Sequence, residues 1–394
     1  MKGQFWLLLK KASICVMLFM CGCLISCEQI NTPVVETPMP AITEVFIDPE
    51  PIVLKTTTPL TKTPQATTIT TSTASVTQTQ QIEVENKSNF DPAPDLPEIF
   101  TPETMKPGVI PVIYQEEPCQ YLGNRWGEGK STPGTVVVPI MFHSIVQPGR
   151  QINDTTSITM AYFEYFMEIA KEMGFSTITS QELVDFLEFN QEIPERSMLL
   201  ILDDRRPGVT ELFMPYLEQN DWTLTLGWIA ADDTRDAVWE TMTTLAETGR
   251  LDVQSHGFNH VYVQDYITAD QIEEELFKPI EVIEARFGTR PIAHVWPGGN
   301  FDARSIAIAK EAGYKIGFTV FSRGPIMFNW IPLGEPEIAM QSPLLVLPRF
   351  WSTGAVQALN EAVLVSEAAK EYYSTIEDAE REYYNFYCSP EKSE

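Results

Sequence analysis

The chain is 394 residues long, sets 54 Asp and Glu against 27 Lys and Arg, and carries a formal net charge of −27. That balance excludes a general nucleic-acid binder, because the phosphate backbone would be repelled, and the length allows one large domain or two ordinary ones. Six cysteines with no C-x-x-C pair leave a cysteine zinc site without support.

Lys10 and Lys11 precede an apolar run, Ala12 to Ile25, that is short for a membrane span and ends Leu24-Ile25-Ser26-Cys27. This resembles a bacterial lipoprotein signal, which is cut before a cysteine that then carries lipid. Residues 1–26 are then the signal and Cys27 the lipidated residue, with Cys23 the alternative. An ordinary signal peptide or a membrane anchor are the other readings, and every one of them exports the chain. The resemblance implies a lipid anchor in the bacterial cell membrane with the protein facing outward. Residues 27–107 follow, and Lys55 to Gln80 is mostly Thr, Pro, Ser and Gln. Such a segment cannot bury enough apolar surface to offset chain entropy, so a disordered Thr/Pro-rich stalk is expected. Cleavage before Cys27 leaves Cys119 and Cys388. An even pair in an exported domain suggests a disulfide from the start of the folded region to its end, with two free thiols as the alternative.

The folded domain is expected over residues 108–388. Thr135–His143 is an apolar strand ending in a histidine, and Ile158–Phe175 has helical spacing. Ser180 is the expected N-cap of a second helix. Ser197–Leu202 is an apolar run that ends in Asp203-Asp204, as in a strand buried on both faces with acids at its C-terminal end. A helix over Val209–Gln219, a strand over Thr223–Ala230, a helix over Asp233–Gly249 and a strand at Leu251–Gln254 follow. Next come a helix at Ala269–Phe287, a strand at Pro291–Trp296, a helix at Asp302–Ala312, strands at Tyr314–Phe321 and Leu344–Phe350, and a helical tail from Ala355. Strands alternating with helices imply a parallel sheet wrapped by helices, and about seven such units favour a barrel over an open sheet.

Adjacent carboxylates repel, so Asp203-Asp204 is costly unless a cation or a proton-transfer role occupies it. Alone, the pair also fits a strand end whose acids cap the next helix. The chain has four histidines, His143, His256, His260 and His294, and two of them are spaced H-x-x-x-H after a short strand. That spacing lets two imidazoles converge on one metal. With Asp204 they form an Asp-His-His set that leaves positions open for water and substrate.

These residues carry a resemblance. Ile201-Leu202-Asp203-Asp204-Arg205 is similar to the T-F-D-D-G motif of the NodB-homology polysaccharide deacetylases (carbohydrate esterase family 4), and Ser255–His260 is similar to their H-[ST]-x-x-x-H motif. Ala293–Gly299 stands where members carry R-x-P-Y-G or F-A-Y-P-Y-G. Val138–Ile145 resembles the P-V-L-M-Y-H opening of the permuted branch, which includes exported poly-N-acetylglucosamine deacetylases. The resemblance spans roughly Val136 to Phe350. It implies an α/β fold, a distorted (β/α)7 barrel, and a metal-dependent hydrolase that removes N-acetyl groups from a cell-surface or extracellular polysaccharide. Asp204, His256 and His260 would hold a divalent metal, usually zinc, with cobalt, nickel and iron also compatible with these donors. Asp203 would be the base and His143 the acid, with His294 the rival that strand alternation with Val295 turns the other way, and a backbone N–H in the Trp296-Pro297-Gly298 turn would serve the oxyanion. Phe258, Tyr262, Trp296 and Trp351 are aromatic candidates for stacking on sugar, with core packing as the ordinary alternative. Arg205 replaces the motif glycine and Val295 the motif arginine, so Arg349 is the candidate to supply the missing charge. A glycan-binding domain with reduced catalysis and an O-acetyl esterase are the alternatives. A monomer is expected.

Overall fold

A computed structural model describes residues 96–388. The expected signal, Cys27 and the stalk up to residue 95 lie outside the described residues. Seven parallel strands form the frame: β1 (Val136–Phe142), β2 (Arg196–Asp203), β3 (Leu224–Trp228), β4 (Leu251–Ser255), β5 (Ala293–Val295), β6 (Ile316–Phe318) and β7 (Phe350–Trp351). They pair in the order β6-β5-β4-β3-β2-β1-β7. The segment entering β7 also reaches the far end of this order. Leu347 donates its N–H to the Gly317 carbonyl (2.7 Å) and accepts from the Thr319 N–H (2.9 Å). Leu347–Trp351 therefore touches both β6 and β1, and the sheet curls into a distorted (β/α)7 barrel.

Side-chain alternation decides what faces the barrel interior. On β2, Met198, Leu200 and Leu202 join one apolar cluster while Leu199 and Ile201 join another, and β1 divides the same way around Val137. With a period of two, Asp203 falls on the Leu199–Ile201 face and His143 on the Val137 face. Burial on both faces is why the two strands read as continuous apolar runs.

Helices occupy the crossovers at Met160–Glu172, Ser180–Phe189, Pro207–Asn220, Asp236–Ala246, Ala269–Phe287 and Ala303–Ala312. The second of these corrects the sequence reading. Thr179, not Ser180, is the N-cap: it accepts from the Glu182 N–H, and the Glu182 carboxylate accepts from the Thr179 N–H. This reciprocal box needs an acid three residues on, and Leu183 stands there for Ser180. The expected strand over 344–350 is corrected too, since Pro343–Leu345 forms a 3-10 turn and only Phe350–Trp351 is strand.

Packing reaches N-terminal of Gly108. Phe100 lies against Trp330 (ring centroids 5.9 Å), whose indole N–H donates to the Phe100 carbonyl (2.8 Å). An antiparallel pair, Ile110–Val112 with Ile331–Leu333, and a helix at Pro118–Trp126 were not anticipated. A disulfide, Cys119–Cys388, ties that helix to the end of the 33-residue helix Ala355–Tyr387. Among the described residues no helix is long and apolar enough to cross a membrane.

Candidate active site

The site lies at the C-terminal ends of the barrel strands, where parallel α/β folds place their loops and chemistry. β2 delivers Asp203-Asp204, β4 leads into His256 and the loop to His260, β1 ends before His143, and Arg349 precedes β7.

Asp203 is 2% exposed and Arg349 is fully buried. Arg349 Nη1 donates to both carboxylate oxygens of Asp203, at 2.8 and 3.0 Å, and its Nε donates to the Thr319 carbonyl at 2.7 Å. Burial alone would raise the Asp203 pKa, but Arg349, His256 and His143 together hold it below the usual carboxylate value. Asp203 is thus ionised at neutral pH. Arg349 supplies the positive charge that Val295 cannot. Val295 contributes only its backbone carbonyl, 2.7 Å from His256 Nδ1.

Asp204 turns the other way. Its φ of 72° is in the left-handed region, uncommon for a residue with a side chain, and His260 shares that feature at φ 61°. Asp204 Oδ1 lies 3.8 Å from His256 Nε2 and 3.8 Å from His260 Nε2, and the two Nε2 atoms are 3.1 Å apart. Tetrahedral donors bonded at about 2.0–2.1 Å stand ~3.3 Å from one another, so this triangle fits a divalent cation. The tautomers fit as well. A carbonyl can only accept, so His256 Nδ1 carries the proton and its Nε2 presents a lone pair. The His256 lone pair 3.1 Å from His260 Nε2 wants a proton or a cation between them. Burial moreover lowers the His256 pKa to about 4, which keeps the ring neutral.

The two arginines after the acid pair diverge. Arg206 holds the other oxygen of Asp204 through Nε (3.0 Å) and Nη2 (2.5 Å) and reaches Ser144 Oγ through Nη1 (2.7 Å). Arg205 swings to the following loop, where it pairs with Asp233 and donates to Thr234 Oγ1. It lines an open cleft with Asp232, Phe258, Asn259 and His260, and its bonds go to Asp233 and Thr234 and not to the donor set.

His143 Nε2 is 3.6 Å from Asp203 Oδ2, an ionic distance longer than a hydrogen bond. Its ring stacks on Trp351 (centroids 6.2 Å, 16° between planes). Burial lowers its pKa, and Asp203 opposes that shift without overcoming it. His294 faces away. It is buried, with Nδ1 3.1 Å from Ser255 Oγ and its ring against Trp296 and Tyr314. The alternation along β5 places it opposite Val295, in a structural role.

Trp296 corrects the sequence reading as a sugar-stacking candidate. It is 1% exposed and its indole N–H donates to the Leu345 carbonyl (2.8 Å), so the ring is core and cannot stack on a glycan. Pro297 is buried as well, while Gly298 is exposed beside the Tyr262 ring, which in turn lies edge-on to His260. Tyr262, 45% exposed, is the accessible aromatic beside the donor set.

Residues 190–317, which include Asp203, Asp204, His256 and His260, match the polysaccharide deacetylase family model. That segment, about a third of the chain, is similar to the polysaccharide deacetylases. Among solved structures it is similar to the deacetylase PplD of Streptococcus pyogenes in complex with acetate, at 18% identity over 58% of this chain and 99% of that one, TM-score 0.48. It is also similar to IcaB from Ammonifex degensii (16% identity, 59% and 99% covered, TM-score 0.46) and to the putative polysaccharide deacetylase BA0330 from Bacillus anthracis (21%, 58% and 69%, TM-score 0.45). No curated protein sequence matches the chain. The matched segment omits His143 and Arg349, and the fold brings both to Asp203.

Proposed function

We propose that this deacetylase domain is a metal-dependent hydrolase that removes N-acetyl groups from an exported or cell-surface polysaccharide. The observation that carries the reading is the pair of adjacent acids with different partners: Asp204 beside His256 and His260, Asp203 on Arg349 and facing His143. Asp204, His256 and His260 would hold the divalent ion, zinc being the usual choice. Held there, such an ion would supply Lewis acidity for the acetyl carbonyl and for water.

The chain's own groups do the rest. Ionised Asp203, fixed by Arg349, accepts the proton of the attacking water as its oxygen adds to the acetyl carbon. The negative charge that builds on the carbonyl oxygen needs an N–H donor. Trp296 gives its N–H to the Phe318 carbonyl, Gly299 gives its own to the Trp296 carbonyl, and Pro297 has none. We therefore assign the donor to Gly298. The C–N bond breaks as protonated His143 delivers its proton to the leaving amine. A lowered pKa makes charged His143 scarcer but a stronger acid. Acetate and a free amino sugar result.

The remaining expectations complete the proposal: a lipid anchor at Cys27 in the bacterial cell membrane, a stalk from Cys27 that stops short of the packed Phe100, a monomeric domain from there to 388 and an N-acetylated glycan as substrate. The test is acetate release from N-acetylglucosamine oligomers and from acetylated xylan, together with bound-metal analysis. Release from the first with stoichiometric metal is expected. Release only from xylan would make the chain an O-acetyl esterase, and metal without acetate from either would leave a glycan-binding domain.

A further inference from the structure

The loop that carries both histidines has little regular structure of its own, yet it holds two imidazole nitrogens 3.1 Å apart. One side chain, from another element, organises it. Glu275 lies on the helix Ala269–Phe287, is 6% exposed, and accepts three backbone N–H groups: Phe258 at 3.1 Å, Asn259 at 2.7 Å and Val261 at 3.1 Å. Those amides bracket His260. One carboxylate oxygen takes Asn259 and the other takes Phe258 and Val261, so the three N–H vectors must converge on one point. That convergence bends the chain around His260, whose φ of 61° is unfavourable for a histidine in isolation. It also needs residue 257 close by. A Cβ at Gly257 would come within 2.5 Å of Glu275 Oε2.

We propose that Glu275 is a positioning residue for the metal site: it presets the His256–His260 loop so that both Nε2 atoms face Asp204 before any cation arrives. The inference rests on the metal-site reading above. A carboxylate buried against three converging N–H groups accepts from all of them at once. A glutamine cannot, because its NH2 would face at least one N–H as donor against donor. Loss of an orienting partner of this kind lowers metal affinity about 10–100-fold.

The experiment uses the full chain with two readouts, zinc affinity by competition with a chromophoric chelator and amide hydrogen exchange of residues 256–261 in the metal-free protein. Glu275→Gln should weaken zinc binding about 10–100-fold and speed exchange at Phe258, Asn259 and Val261. The control is Glu337→Gln, which removes a buried acid bonded to Arg323 and to none of the loop amides. It should lower thermal stability without moving either readout. If Glu275→Gln is destabilised like the control but keeps wild-type zinc affinity and loop exchange, the inference is overturned and Glu275 is merely structural. If the wild-type chain binds no zinc, the metal reading fails by itself, and loop exchange still decides whether Glu275 sets the loop.

Discussion

Among the described residues, two arginine–carboxylate pairs have both partners buried, and they behave in opposite ways. At the barrel mouth, Arg349 grips both oxygens of Asp203 and holds its pKa down. Away from the mouth, Arg125 of the helix Pro118–Trp126 meets Glu380 of the helix Ala355–Tyr387 at 3.7 Å, and burial pushes the Glu380 pKa up. Arg125 spends its charge on aromatic faces instead, 4.6 Å from the Tyr121 centroid and 3.9 Å from that of Tyr373. Glu380 is bonded by the Trp126 indole N–H at 2.7 Å. The first pair keeps a charge ready for chemistry in a place where packing alone would neutralise it. The second tolerates a carboxyl that is easier to protonate because its task is to join two helices near the Cys119–Cys388 link.

The sharpest way to break the comparison is at Asp203. Removing a positioned general base costs about 10²–10⁴-fold in rate. Asp203→Asn should therefore lower kcat/KM for acetate release by that factor while zinc stoichiometry stays at wild-type level. Loss of metal together with activity would instead make Asp203 part of the donor set.

Arg349→Met and Arg125→Met test the two pairs directly. Removing one partner of a tightly bonded buried pair costs about 3–5 kcal/mol, because the other charge is stranded. Arg349→Met should cost that much in urea unfolding. Arg125→Met should cost clearly less, since Glu380 keeps the Trp126 bond and is already easier to protonate. Equal losses would erase the distinction.

Metal removal should touch only the mouth. Zinc at one hundred times its Kd stabilises the folded chain by about 2.7 kcal/mol. Thermal unfolding with and without chelator should show that increment in wild type and in Arg125→Met alike, and lose it in His260→Ala. A chelator-sensitive Tm in His260→Ala would place the ion elsewhere.

How much of this was legible in the sequence follows from where each signal sits. Asp203-Asp204 and His256-x-x-x-His260 are local patterns at strand ends, so residue type and spacing suffice to pick them out. Arg349 was legible only as a candidate, because its contact with Asp203 depends on Leu347 pairing with Phe318 and so curling the sheet toward closure. Trp296 misled for the same reason. An aromatic at a strand end looks available until Leu345, 49 residues on, offers its carbonyl. The Ile110–Val112 strand escaped because its edge is half-exposed and its partner lies beyond residue 330. Glu275 stands three residues after Ile272 and beside Leu276, so helical spacing puts it on the buried face, but that spacing does not tell which loop amides it meets.

The smallest effect is the pH dependence of the Arg125–Glu380 pair. Glu380 is packed against Arg125, Trp126 and Tyr121 of one helix and shares its own helix with Tyr372 and Tyr373. Its folded-state pKa is raised, with burial the largest cause, above the value it has in the unfolded chain. As pH falls through the raised folded value, the folded state takes up the proton before the unfolded state does, so this group adds stability on acidification until the unfolded value is passed. Protonation of one site changes stability by at most about 1.4 kcal/mol per pH unit. Glu380→Gln, neutral at every pH, should therefore be relatively more stable than wild type near neutrality, with the advantage shrinking toward the ordinary carboxylate range. Urea midpoints measured stepwise from pH 7 to pH 4.5 give the difference directly. A difference that grows on acidification would mean that Arg125 holds Glu380 charged as firmly as Arg349 holds Asp203, and the two pairs would then be of one kind.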